Sequence, residues 1–279
     1  MVELTDLLAD LAAESAEVDA LVTPLSEMDW ARPTPAEGWS IAHQIAHLIW
    51  SDRAALLAVT DPAAFTEGLT AAMADPDGFV DRGTAELLAP PGQLLARWRA
   101  GRAALNEALA AVPPGAKLPW YGPPMAPATM ATARLMETWA HGLDIADALG
   151  VVPAPTARLR HIAHLGVRTL ANGFLARGLD VPTAPVRVEL AAPDGAVWAY
   201  GPADAVDRVV GPALDFCLLV TRRRHRADLA LVATGPVADA WLDVAQAFAG
   251  PPGPDREPRS RVAGPLPRAG EPLSGAGEP

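Results

Sequence analysis

Four long segments with helical periodicity, separated by proline-rich connections, constrain the fold of this 279-residue chain more than any other feature. Within each segment apolar residues recur every three or four positions, which is typical of an amphipathic α-helix. Ser40 can cap the second segment, Pro91 lies in the first turn of the third, and Gly150 ends the fourth. The connection over 113–127 holds six prolines and is predicted to be a structured loop or lid. The segments are 2–25, 40–59, 91–112 and 128–149.

These segments predict a four-helix bundle over residues 1–152, with an additional short helix over 61–77. The pattern then changes, and 153–250 is predicted to be a smaller C-terminal α+β domain, so the fold class is α+β. Residues 251–279 are rich in proline and glycine without an apolar pattern, and they are predicted to be disordered. The predicted helices of the second domain are 156–177, 206–221 and 237–248, and its predicted strands are 186–191, 197–200 and 229–234. The first two strands flank the turn Pro193-Asp194-Gly195 and should form a hairpin.

The charge balance and cysteine usage exclude several classes of protein. A net charge of −11 argues against nucleic-acid wrapping and against docking on an anionic membrane. Cys217 is the only cysteine, so a disulfide framework and a Cys-x-x-Cys zinc site are excluded and a reducing cytoplasm is indicated. Residues 1–25 lack the basic start of a signal peptide, and no apolar run approaches the length of a membrane span. We therefore expect a cytoplasmic protein.

Two predicted helices carry pairs of metal-ligand residues. His43 and His47 are four residues apart on one, and Glu137 and His141 are four apart on the other, so each pair shares a helix face. Two facing helices can therefore bring imidazoles and a carboxylate to one point, and two His with one Glu leave a tetrahedral zinc with one open position. The alternatives are a core histidine at His47 and a simple helix pair at Glu137. Asp144, on the same face, can orient a ligand imidazole or face water.

The residues around these pairs resemble a known superfamily. Gly38-Trp39-Ser40 followed by Ala46-His47-Leu48 resembles the second-helix motif of DinB-like proteins, and the stretch from Arg134 to Asp144 resembles their fourth-helix motif. The likeness is closest to the N-terminal domain of mycothiol-dependent maleylpyruvate isomerases and covers residues 5–150.

This resemblance implies that His47, Glu137 and His141 bind zinc and that the low-molecular-weight thiol mycothiol is a cofactor. The second domain resembles the C-terminal domain of the isomerases more weakly, through a helix that ends at Arg222. The chain is also similar to a broader set of actinobacterial metal-binding relatives. That subgroup fits better, because His43 and the run 221–226 depart from the isomerase pattern.

The other histidines have several interpretations. His43 is a candidate for a catalytic role as a proton shuttle, for a fourth metal ligand, or for a core residue, because it lies one turn before His47. His161 and His164 could face the mouth of the metal site, but packing between the domains or exposure is the favoured interpretation.

A run of arginines, 222–226, is the one basic cluster of the chain. It predicts either a solvated helix end, where arginine complements the helix dipole, or a site for a substrate carboxylate. Arg222 is the candidate catalytic residue of the run. Cys217 is expected to be a buried, inert thiol. Trp120 and Tyr121 line a pocket or pack the proline-rich loop.

The sequence thus predicts an enzyme: a zinc-dependent thiol transferase or isomerase acting on a small anionic substrate. A metal-activated hydrolase and a non-catalytic metal-binding protein are the alternatives. The expected partners are a small-molecule substrate and a low-molecular-weight thiol, with no nucleic acid and no membrane, and the oligomeric state is open.

Overall fold

The computed structural model describes residues 3–75 and 78–258. Its N-terminal part is the predicted bundle of four long helices, and this prediction is confirmed. Short helices fill two of the connections between the long helices, and the short helix over Phe79–Ala85 was not predicted. The long helices are α1 (Leu4–Val22), α3 (Ile41–Thr60), α6 (Pro91–Ala110) and α7 (Pro127–Leu149), and the short ones are α2 (Glu27–Trp30), α4 (Pro62–Ala74) and α5 (Phe79–Ala85).

The bundle is arranged so that α3 and α7 face each other. α3 packs against both α6 and α7, and α1 lies along α7. Ile45 on α3 and Leu135 on α7 are fully buried. Proline occupies the first helical position of α7, and Gly150 ends it in a left-handed conformation with φ of 69°. These local signals set the ends of α7, and burial of apolar side chains stabilises its packing on α3.

The C-terminal part is a four-stranded sheet covered by helices. The strand order is β2-β1-β3-β4, in which β1 pairs with β2 and β3 with β4 antiparallel, while β1 pairs with β3 parallel. The predicted hairpin is therefore confirmed. The elements are α8 (Leu159–Arg168), α9 (Leu170–Leu175), β1 (Val186–Ala191), β2 (Val197–Tyr200), β3 (Asp207–Pro212), α10 (Ala213–Val220), β4 (Val232–Thr234) and α11 (Pro236–Val244).

The predicted helix over 206–221 is wrong in its first half, which forms strand β3. Val209 faces the core from this strand, and Pro212 ends it, so that only the remainder continues as α10. A side chain at Gly211 would meet the carbonyl of Ala230 at 2.7 Å, which shows how closely β3 approaches the chain before β4. Pairing with β1 and β4 therefore decides the conformation of this segment.

Ion pairs join the two parts of the chain. The Nε of Arg158, before α8, lies 2.6 Å from Glu14 Oε2 on α1, and Arg224 pairs with Asp147 on α7 at 2.7 Å. The division at residue 152 stays a prediction. Of the segment predicted to be disordered, residues 251–258 are described, and Asp255 and Arg256 make ion pairs with the folded chain. Residues 259–279 lie outside the described part of the chain. Within the described part, no helix is long and apolar enough to cross a membrane.

Candidate metal centre

Three of the predicted ligands meet between α3 and α7. The Nε2 of His47 lies 3.4 Å from Glu137 Oε2, and the Nε2 of His141 lies 3.2 Å from the same oxygen. The two imidazole rings are 4.3 Å apart at their centroids. One potential ligand atom from each residue lies within 4.8 Å of the others. The side chains are 9%, 18% and 12% exposed for His47, Glu137 and His141, so the cluster is nearly buried but reaches the surface.

A chain of hydrogen bonds fixes the orientation of His141. Its Nδ1–H donates to Gln44 Oε1 at 2.5 Å, and the Gln44 amide donates to Thr34 Oγ1 at 2.8 Å. The Thr34 hydroxyl donates in turn to the carbonyl of Trp39 at 3.0 Å. Because each group has one role in this chain, the amide orientation of Gln44 and the Nδ1–H tautomer of His141 follow from it.

Gln44, which is fully buried, was missed by the sequence reasoning. The available signal was an amide three residues before His47 on the same apolar face of the helix. The role foreseen for Asp144, that of orienting a ligand imidazole, falls to this amide instead.

The protonation states suit metal binding. Burial, together with the proximity of His47, lowers the pKa of His141 to about 4, so its ring is neutral near pH 7. Burial alone would raise the pKa of Glu137, but its contacts with His141 and His47 and the charge of Arg134 hold that pKa well below its usual value. The neutral ring of His141 and the ionised carboxylate of Glu137 are in the forms that coordinate a metal.

The arrangement also needs a cation. With Nδ1–H donated to Gln44, the Nε2 lone pair of neutral His141 faces a carboxylate oxygen of Glu137, and two such lone pairs repel unless a positive charge lies between them. The Nδ1 of His47 is buried and has no hydrogen-bond partner among the described residues. Two imidazoles and one carboxylate are a known ligand set for catalytic zinc. The three residues therefore fit a divalent metal.

Aromatic side chains surround the cluster. The ring of Trp39 lies 5.3 Å from that of His47 and 6.0 Å from that of His141, and Trp50 stacks on His47 with 5.7 Å between centroids. Trp50 in turn stacks on Tyr121 of the proline-rich loop, with 6.1 Å between centroids. The metal cluster is thus lined by rings that limit the access of water.

Two further ionisable side chains, Arg134 and Asp52, lie near the ligands. Arg134, three residues before Glu137, is buried, and its Nη2 is 3.9 Å from Glu137 Oε1. Asp52 on α3 is also buried, and burial raises its pKa to about 7, against the charge of Arg134. The sequence reasoning quoted Arg134 within the helix motif but gave it no role, and it did not consider Asp52.

His43 does not join the cluster, in contrast to its prediction as a shuttle or ligand. Its Nδ1 lies 2.9 Å from Ser40 Oγ and accepts a hydrogen bond from the Ser40 amide at 3.3 Å. The side chain therefore turns back to cap the start of α3, where free backbone N–H groups need acceptors.

The arginine run is engaged in ion pairs with the folded chain. Arg222, the candidate catalytic residue, places Nη2 2.5 Å from Asp255 rather than towards the metal cluster. Arg223 is nearer to His141, but its Nε pairs with Asp144 at 3.0 Å and donates to the carbonyl of Ala140. Together with the Arg224–Asp147 pair, these contacts hold the C-terminal part against α7. The prediction of Arg222 as substrate anchor therefore lacks support in this geometry.

The remaining candidates have structural surroundings. The Nε2 of His161 lies 2.7 Å from Asp10 Oδ2 on α1, which is packing between the two parts of the chain, and the ring of His164 lies 6.2 Å from that of Tyr200. Cys217 is fully buried, and burial raises the pKa of its thiol, as expected of an inert residue.

The bundle of four long helices, with a His/Glu/His cluster between its second and fourth long helices and a smaller α+β unit after it, has a DinB-like fold. Residues 11–146, which include most of the bundle, match the family described as mycothiol maleylpyruvate isomerase N-terminal domain. A second profile, described as wyosine base formation, matches residues 182–234, which contain the sheet.

The chain is also similar to full-length relatives and, in fold, to solved structures. The chain is 59% identical over 249 residues to the uncharacterized proteins Rv0036c and MT0041 of two Mycobacterium tuberculosis strains, H37Rv and CDC 1551, covering 89% of this chain and 97% of each relative. Crystal structures of the mycothiol-dependent maleylpyruvate isomerase, one of them a point mutant, superpose with a TM-score of 0.54 at 15% identity. They cover 83% of this chain and 93% of the isomerase, and the likeness shows the shared fold.

Proposed function

We propose that this protein is a zinc-dependent thiol transferase or isomerase that uses mycothiol and acts on a small anionic substrate. The observation that carries the proposal is the cluster of His47, Glu137 and His141, in which one potential ligand atom from each residue lies within 4.8 Å of the others. The match of residues 11–146 to the mycothiol maleylpyruvate isomerase N-terminal domain family supports an enzyme with a thiol partner.

In this proposal the three residues hold the metal as a two-imidazole, one-carboxylate set. A zinc ion with three protein ligands supplies an open position at which a bound thiol loses its proton. The Gln44 amide holds His141 Nδ1–H, so that Nε2 stays free of a proton and directed at the cluster. The rings of Trp39 and Trp50 lie next to His47 and lower the local polarity, which strengthens the electrostatic interactions inside the site.

Metal analysis followed by a turnover assay tests the proposal. We expect purified protein to contain zinc and to convert maleylpyruvate, or another unsaturated acid of a small panel, only when mycothiol is present. His141→Ala should lose both properties, whereas the matched control His161→Ala should keep both, because His161 pairs with Asp10 away from the cluster. A protein without zinc would contradict the proposal, and turnover without thiol would favour the hydrolase.

A further inference from the structure

The two histidines of the metal cluster are held in different ways. The ring of His141 is fixed by its hydrogen bond to Gln44, at 2.5 Å. The Nδ1 of His47 is buried and has no hydrogen-bond partner among the described residues, so no such bond fixes this second ring. A metal-binding imidazole is normally oriented by a partner on its other nitrogen. The orientation of His47 therefore depends on the side chains that pack against its ring.

Trp50, three residues after His47 on α3, is the ring that stacks on it. Their centroids are 5.7 Å apart and their planes differ by 29°, whereas Trp39 lies at 5.3 Å but is tilted by 50°. Trp50 also stacks on Tyr121 of the proline-rich loop, at 6.1 Å and 11°. Phe79 of α5 contacts both Trp50 and Tyr121 edge-on, at 5.6 and 5.9 Å. The indole thus joins α5 and the loop to a residue of the metal cluster.

Gly83 of α5 lies directly against this indole. A Cβ at this position would be 2.2 Å from Trp50 Nε1 and 2.6 Å from Cδ1, so a side chain cannot be placed here while the indole stays where it is. These atoms belong to a rigid ring system, which can yield only by moving as a whole. Gly83 has a helical backbone, so no left-handed conformation calls for glycine here, and alanine would favour the helix more. Close packing against Trp50 is the physical reason for a glycine within this helix.

We propose that Gly83 and Trp50 are positioning residues for the metal site. Gly83 leaves the space in which the indole lies against His47, and the indole sets the angle of the His47 ring. Ring packing from α5 thereby does for His47 what the Gln44 amide does for His141. The position of α5 relative to α3 then controls the affinity of the site for zinc. This inference rests on the proposed function, in which His47 is a zinc ligand.

The zinc affinity of full-length Gly83→Ala, measured by competition with a chromophoric chelator, tests the inference. Alanine strengthens α5 as a helix, so the added methyl group acts by displacing the indole. We expect the apparent Kd for zinc to rise about tenfold or more. The matched control is Gly166→Ala on α8, where a Cβ would meet Val220 at 2.9 Å in the C-terminal part of the chain. This control also introduces a close contact, but it should bind zinc as wild type does.

A double variant shows whether the effect passes through the indole. Trp50→Leu should itself weaken zinc binding by about tenfold, because the stacked ring is lost. In that background Gly83→Ala should cause no further loss, since leucine leaves room for the added methyl group. Trp50→Leu also serves as the test if Gly83→Ala does not fold. Unchanged zinc affinity in either single variant, or additive losses in the double variant, would overturn the inference.

A readout without metal separates this inference from the proposed function. In chelator-treated protein the ring-proton NMR resonances of His47, assigned by comparison with His47→Gln, report the ring current of the stacked indole. Gly83→Ala should shift these resonances and leave those of His161 in place. Wild-type protein that binds no zinc would contradict the proposed function, and a shift of the His47 resonances would still support its positioning by α5. Unmoved His47 resonances in Gly83→Ala would overturn the inference whether or not zinc binds.

Discussion

Replacing Gln44 by alanine should weaken metal binding without touching a ligand. The Gln44 amide is fully buried and is the acceptor for His141 Nδ1–H at 2.5 Å, while its own N–H is held by Thr34. In Gln44→Ala the imidazole loses the group that fixes its tautomer and its ring orientation. Loss of such a partner typically costs about tenfold to a hundredfold in metal affinity, or about 1.4–2.7 kcal/mol.

Competition with a chromophoric zinc chelator measures this effect as an apparent Kd. The matched control is Gln246→Ala, because Gln246 is also buried and donates to the carbonyls of Phe248 and Gly250, far from the cluster along the chain. Both variants should lose stability, by about 1–3 kcal/mol, since each leaves buried polar groups unpaired. Only Gln44→Ala should lose zinc affinity.

A conservative variant distinguishes orientation from packing. In Gln44→Glu the carboxylate can still accept the hydrogen bond from His141, so zinc affinity should stay near or above that of wild type. If Gln44→Ala binds zinc as tightly as Gln246→Ala, the argument that the amide fixes His141 is refuted. If Gln44→Glu loses zinc as completely as Gln44→Ala, the amide acts through packing alone.

Three further changes test the site and the interface. His141→Ala should abolish stoichiometric zinc in elemental analysis, because it removes one of three ligands, whereas His161→Ala should keep zinc and lose about 1 kcal/mol of stability. Burial raises the pKa of Asp52 to about 7, so ionisation of this carboxyl is unfavourable in the folded state. The free energy of unfolding should therefore fall as pH rises from about 4 to about 7. Asp52→Asn should remove that loss, worth a few kcal/mol at most, and parallel pH profiles of urea unfolding would contradict this reasoning. Asp144→Asn should lower the free energy of unfolding in urea by about 3 kcal/mol or more, because the buried carboxylate pairs with two guanidinium groups. The control Asp180→Asn, on the surface, should cost little, and equal losses in the two variants would contradict this role of Asp144.

The metal ligands could be predicted because each ligand pair is a local feature. Glu137 and His141 lie four residues apart, so helix geometry alone places them on one face, and the bundle then brings α3 opposite α7. The partner of a side chain across the bundle is not local. The contact of Gln44 with His141 spans 97 positions, and no spacing rule predicts it. The capping role of His43 was predictable in principle, because Ser40 and His43 occupy the two positions of a capping box, but its closeness to His47 favoured a metal role.

The failed helix prediction over 206–221 has a similar origin. Val206, Val209, Val210 and Ala213 lie at helical spacing, so the apolar pattern is that of a helix. The first of them is nevertheless 81% exposed, while Val209 faces the core between β1 and β4. Strand β3 also positions Asp207, whose carboxylate accepts hydrogen bonds from the first backbone N–H groups of α11. A short amphipathic pattern cannot distinguish the two conformations when the deciding contacts come from distant strands.

Helix α7 explains why the site and the docking of the C-terminal part occur together. It carries a charged or titratable side chain on every turn, at the spacing that a solvent-exposed stripe would have. Here the stripe is largely buried, because other elements supply a partner at almost every step: the metal-ligand cluster and Gln44 for the central residues, and Arg223 and Arg224 for the last ones. The first member, Arg134, lies with Nη2 3.9 Å from Glu137 Oε1, while its Nε and Nη1 have no hydrogen-bond partner among the described residues. The stripe consists of Arg134, Glu137, His141, Asp144 and Asp147.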